Sequence, residues 1–112
     1  MSRFLDAALA EAWGYEVKLK PHPVIILEGK RRRLPEYSKR GNYMLELIDE
    51  MRARGWHVWI DTLNGNYACE FYKRGFFGPK FHAPTMPEAV ALAAYKALMG
   101  KEWVEEEREK EA

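Results

Sequence analysis

The residues best suited to chemistry are cations. Lys30-Arg31-Arg32-Arg33 is followed closely by Lys39 and Arg40. Arginine guanidinium groups grip phosphate with two parallel hydrogen bonds, and lysine adds a compact charge. Tyr37, Tyr43, Trp59 and Tyr72 offer aromatic faces of the kind on which bases stack. Lys30, Arg31, Arg32, Arg33, Lys39 and Arg40 are therefore the candidate ligand-binding residues for phosphate or nucleic acid. Tyr37, Trp59 and Tyr72 are the candidate stacking residues. The simpler reading is a solvated basic loop that pairs with the glutamate-rich C-terminal segment, because charge runs are common on surfaces.

Other reactive residues form no such group. His57, Asp61 and Glu70 could meet on one hairpin and suit acid–base work. Strand alternation instead places His57, Trp59 and Asp61 on the face opposite Val58 and Ile60, where polar side chains are simply solvated. Cys69, the single cysteine, sits among apolar neighbours and reads as a small buried hydrophobe. His22, His57 and His82 have no closely spaced His or Cys pair of the kind a structural zinc site needs. No Gly-rich phosphate loop occurs, and Gly75-Phe76-Phe77-Gly78-Pro79 reads as a turn with aromatic flanks. The expectation is no catalytic residue, no metal and no cofactor.

The elements that position these residues follow from periodicity. Leu5, Ala8, Leu9 and Ala12 recur on one helical face, with Ser2 as N-cap and Gly14 as stop, which predicts a helix over 3–13. Glu16–Glu28 reads as extended, an edge strand interrupted by Pro21 and Pro23. Tyr37-Ser38 opens a second helix with Met44, Leu47, Ile48 and Met51 on one face and Gly55 at its end. Asn64-Gly65 lies between the runs 56–63 and 67–72 and predicts a β-hairpin, since both central residues of a type I′ turn need positive φ. A weaker strand spans 75–83. Thr85-Met86-Pro87-Glu88 makes a capping box for an Ala-rich helix over 86–99, with Gly100 after it.

The expected fold is therefore α+β, an α/β/α-type sandwich with one small, mainly antiparallel sheet of three to four strands and about three helices. Residues 1–100 form a single domain, and 101–112 a charged tail or helix extension. At 112 residues with 47 % hydrophobic and 13 % aromatic content, the chain can bury a core but not a second folding unit. A lone cysteine excludes an internal disulfide, and neither a signal peptide nor a membrane span is visible, so a cytoplasmic location is expected. Net charge is +1, yet residues 16–40 carry a local +5 and residues 101–112 a local −3. The absence of glutamine and the 31 % charged content run in the direction of thermophile proteins.

Several segments, in order, resemble the phage ABA sandwich domain family of small bacteriophage and prophage proteins. Leu5-Asp6-Ala7 runs to Gly14-Tyr15, and Pro35-Glu36-Tyr37-Ser38 leads into a helix ending Met51-Arg52-Ala53-Arg54-Gly55-Trp56. Tyr67-Ala68-Cys69-Glu70-Phe71 and Ala83-Pro84-Thr85-Met86-Pro87-Glu88-Ala89 complete the match, which spans 4–99. The resemblance implies the fold and a phage or prophage origin, with a bacterial cytoplasm as the setting. It brings no catalytic residues or cofactor, and Lys30–Arg33 and the acidic tail depart from it.

The functional expectation is a non-enzymatic phage accessory protein that acts by binding, blunting host defence by sequestering a nucleotide-like small molecule or by masking a host protein. A nucleic-acid-binding module and an uncharacterised enzyme are the alternatives. No membrane partner is expected, and a homodimer through a strand edge or a helix face remains open.

Overall fold

The computed structural model describes residues 3–20, 22–77 and 80–104. The expected N-cap Ser2, Pro21, the Gly78-Pro79 pair and most of the acidic tail, 105–112, lie outside the described residues. The chain runs α1 (Arg3–Ala12), β1 (Glu16–Lys18), β2 (Val24–Leu27), β3 (Lys30–Arg33), α2 (Gly41–Ala53), β4 (His57–Leu63), β5 (Asn66–Lys73), β6 (Phe76–Phe77), β7 (Phe81–Ala83) and α3 (Met86–Met99). The fold is α+β: three helices with antiparallel strands.

The strands form two sheets where one was expected. In the larger, β5 pairs with β4 on one side and with both β6 and β7 on the other. The expected hairpin joins β4 to β5, with Asn64 at φ 50° and Gly65 at φ 82°. The expected weak strand is two short ones, β6 and β7. The second sheet is a meander, β1-β2-β3, built from the segment read as one extended strand plus a solvated loop. Lys30–Arg33 is thus strand β3. A two-residue turn, Glu28 at φ 53° and Gly29 at φ 78°, reverses the chain, and Ile25 and Ile26 pair with Arg32 and Arg31.

Alternation sorts the larger sheet. Val58 opposes Phe71 and Ile60 opposes Cys69 on the face that meets α3, while His57, Trp59 and Asp61 stand exposed on the other. Ala89, Val90, Ala93 and Ala94 of α3 are buried, and their small size lets the helix lie close on β5 and β7. Helices α1 and α2 pack on α3 in turn, and α2 also meets β4. Leu5, Leu9, Leu47, Met51, Phe71 and Val90 are the large side chains at the centre. Leu5 and Leu9, like Met44, Leu47 and Met51, are buried as their helical spacing predicts.

Helix ends follow local chemistry with two differences. The α2 helix starts at Gly41, later than Tyr37-Ser38, because 37–39 form a turn whose Lys39 and Arg40 amides both bond to the Glu36 carbonyl. At α3, Thr85 Oγ1 accepts from the Glu88 amide at 3.4 Å, but the reciprocal half of the capping box is not made. Gly14 and Gly100 sit at positive φ where α1 and α3 stop, as expected. Residues 101–104 do not continue α3; Trp103 turns back edge-on to Tyr95, ring centroids 5.1 Å apart.

Candidate functional site

The meander carries β3 along the mouth of a cleft of about 540 Å³. Arg31, Arg32 and Arg33 line it from β3, and His22, Pro23 and Val24 from the start of β2. Arg3 and Asp6 contribute from α1, and Leu34, Glu36 and Lys39 from the connection to α2. Four of the six predicted phosphate-binding residues that the sequence singled out therefore reach one cavity or its rim: Arg31, Arg32, Arg33 and Lys39. Lys30, at the turn end of β3, and Arg40 do not line it.

The cations differ in what they already hold. Arg33 Nη2 pairs with Glu36 Oε1 at 3.2 Å, and Arg40 Nε with Glu36 Oε2 at 2.7 Å. The Arg40 hydrogen bond, reinforced by the charges of Arg40, Arg33 and Lys39, holds the Glu36 carboxyl below its ordinary range. Both pairs are exposed, so each contributes on the order of 0–1 kcal/mol and yields readily to a competing anion. Arg31, Arg32 and Lys39 make no ion pair among the described residues.

At the wall of the cleft lies a residue that the sequence reading missed. Asp6 is 1 % exposed and accepts from the Ser38 amide at 2.9 Å. Burial raises its carboxyl above the ordinary value, outweighing that hydrogen bond and the charge of Lys39. The bond ties α1 to the 37–39 turn and so fixes where Lys39 stands. A signal was present: Asp6 lies three residues before Leu9 and four before Ala10, on the core-facing stripe of α1. Arg3 carried no such signal, since only the tertiary fold brings α1 to the meander, and His22 is placed by the short connection between β1 and β2.

The aromatic candidates separate. Tyr37 is 5 % exposed and belongs to the core, where burial pushes its phenol up. It does not line the basic cleft, and edges instead a separate hollow with Trp13, Tyr15, Glu50 and Arg54. Trp59 and Tyr72 lie on the larger sheet, around a shallow depression of about 310 Å³ with Glu70 and Lys80, and neither lines the basic cleft. The Lys80 ammonium sits 4.1 Å above the Trp59 ring, and His57 stacks on Tyr72 at 5.4 Å. His57 and Asp61 do not line that depression with Glu70. Cys69 is fully buried, as expected, and burial pushes its thiol up to about 12.

No family model and no curated protein matches the chain. Among solved structures, it is similar to the crystal structure of a phage protein from Bacillus cereus ATCC 14579. The two superpose with a TM-score of 0.70 at 23 % identity, over 85 % of this chain and 90 % of that one. A phage protein thus shares this fold over nearly its whole length. Among the described residues, no helix is long and apolar enough to cross a membrane.

Proposed function

We propose that this chain is a non-enzymatic binding protein of phage or prophage origin, of the ABA sandwich type, whose basic cleft takes a phosphate-bearing small molecule of nucleotide size. The observation that carries the reading is that Arg31, Arg32 and Lys39, none of them ion-paired among the described residues, line one cavity. Its volume of about 540 Å³ falls within the usual size of small-molecule sites. The guanidinium groups grip phosphate oxygens, and the Glu36-bound Arg33 is recruited when an anion competes for it. Pro23 and Val24 supply an apolar wall for a sugar or base. Separation of Trp59 and Tyr72 from the cations favours a compact ligand over an extended single strand, which needs stacking faces along its backbone track. In a host cell, such a protein would withdraw a nucleotide-like defence signal from circulation.

The test is calorimetric titration with mononucleotides, cyclic dinucleotides and inorganic phosphate, on the parent and on the double variant Arg31→Glu, Arg32→Glu. Binding of a nucleotide that falls at least about tenfold in the variant, with an unchanged melting temperature, supports the reading. Undiminished affinity in the variant, or no binding by any of these compounds, overturns it.

A further inference from the structure

The strand order leaves β4 at a margin. It pairs with β5 on one side, and among the described residues no strand pairs with its other side. The hairpin fixes which of its peptide groups face outward. Leu63 and Asn66 flank the two-residue turn and exchange both of their hydrogen bonds. Alternation then makes Asp61, Trp59 and His57 the other residues bonded to β5. Val58, Ile60 and Thr62 turn their N–H and C=O groups to the open edge. Thr62 agrees with this parity, since its amide donates to Asp61 Oδ1 at 2.8 Å instead of to a strand. Among the described residues, no side chain caps Val58 or Ile60 in the same way. The strand has no proline, lysine or arginine, the residues that ordinarily blunt an edge.

We propose that β4 pairs with β4 of a second copy of this chain, antiparallel about a twofold axis through Trp59. A twofold pairing must be self-complementary, and the run His57-Val58-Trp59-Ile60-Asp61 is so about its centre. In this register Val58 of each copy opposes Ile60 of the other, and the outward peptide groups of both make four hydrogen bonds. Trp59 opposes its twin in a pair that is not hydrogen-bonded, the kind in which side chains come closest. On each side the His57 imidazole, a donor and a cation when protonated, faces the Asp61 carboxylate of the other copy. The Thr62 amide keeps its bond to Asp61. Centring the axis on Ile60 instead sets Val58 against Thr62, whose amide is already taken, and leaves Trp59 facing Asp61. Trp59 is 37 % exposed even with Lys80 above its ring, so it has surface left to bury. The pairing joins two four-stranded sheets into one continuous sheet. It is independent of the basic cleft, none of whose lining residues lies on β4.

Sedimentation equilibrium from low micromolar to several hundred micromolar protein reads the association directly. A short strand pairing with one aromatic contact is a small interface, so a dissociation constant of about 1–100 µM is expected. Asp61→Lys sets a cation against His57 and weakens the dimer at least about tenfold. The double variant His57→Glu, Asp61→Lys restores the opposition of charges and recovers affinity to within about threefold of the parent. Circular dichroism and melting confirm that each variant folds. Trp59→Cys gives a disulfide-linked dimer on oxidation, because directly opposed residues lie within disulfide reach. Thr62→Cys does not, its two copies being about 20 Å apart in this register. A chain that stays monomeric throughout, with no Trp59→Cys cross-link, overturns the proposal. A dimer indifferent to Asp61→Lys, or one that the double variant fails to restore, overturns it equally.

Discussion

Replacing Asp6 separates two roles that its carboxylate combines, and the structure sets the size of each. Its Oδ1 accepts from the Ser38 amide at 2.9 Å, and both residues are at least 98 % buried. Asp6→Ala removes the acceptor and leaves a buried N–H without a partner, a loss of about 1–3 kcal/mol. For a domain near this size each kcal/mol is about 4–8 °C in Tm, so a drop on the order of 10 °C is expected at pH 7. Asp6→Asn keeps a carbonyl oxygen in the same place, deletes the charge and turns the other oxygen into an NH2 donor. Burial disfavours that charge, as the raised carboxyl pKa records, so the Asn variant should lie within about 1 kcal/mol of the parent. The pH dependence has a definite sign. A carboxyl whose folded pKa is above the unfolded value of 3.8 stabilises the fold fully below 3.8 and loses that contribution as pH rises through the folded value. Relative to the flat Asn variant, the parent therefore weakens as pH climbs from 3.8 across that window. Urea denaturation of the three proteins between pH 3.5 and 7.5 measures all of this. If Asn costs as much as Ala, or if the parent gains on Asn as pH rises, the charge itself holds the site and the reasoning fails.

Other expectations follow from single positions. Cys69, fully buried with its thiol pushed up to about 12, should react with a thiol reagent at pH 8 only as fast as the protein unfolds; prompt labelling of the native protein would contradict this. Glu28 occupies a left-handed backbone conformation at φ 53°, where asparagine is several-fold more at home. Glu28→Asn should therefore raise stability by about 0.5–1 kcal/mol, and a lowered Tm would show that the Glu28 side chain has a role that the turn geometry does not reveal. In the basic cleft, ligand affinity should fall as salt rises, with a shallower slope in the Arg31→Glu, Arg32→Glu variant; identical slopes would place the ligand elsewhere.

The resemblance to a solved phage protein covers nearly the whole of both chains, and the cations around the cavity come from β3, the 34–40 connection and α1. Lys30–Arg33 also has a physical role that does not depend on any ligand. β3 is the margin of its meander, and four consecutive cations there discourage another strand from adding to it. That role is compatible with the proposed binding, because the charges whose burial would oppose an added strand are also the charges that attract phosphate. The contrast with β4, whose open edge carries no such charge in its centre, is what makes the two margins of this molecule behave differently.

Local chemistry was readable in the sequence wherever it acts over a few residues. Asn64-Gly65 determined the hairpin because its two residues tolerate positive φ and match the twist of the flanking strands. The spacing of Leu5 and Leu9, of Met44, Leu47 and Met51, and the alanines before Gly100 determined three helices and their buried faces. Cys69 was legible as core from its neighbours. The sheet partition and the site were not. Lys30–Arg33 has no apolar alternation and looks like a loop; it is a strand because β2 needs a hydrogen-bonding partner and the Glu28-Gly29 turn delivers one, by a pair of residues far weaker as a signal than Asn-Gly. Tyr37 has the same chemistry whether it stacks on a ligand or fills a core, and its burial was decided with the turn that Asp6 anchors across 32 positions. Periodicity within a segment reports which face is buried, but not which distant segment covers it. The cleft exists only where α1, the meander and the 34–40 connection meet, and that meeting is a property of tertiary packing.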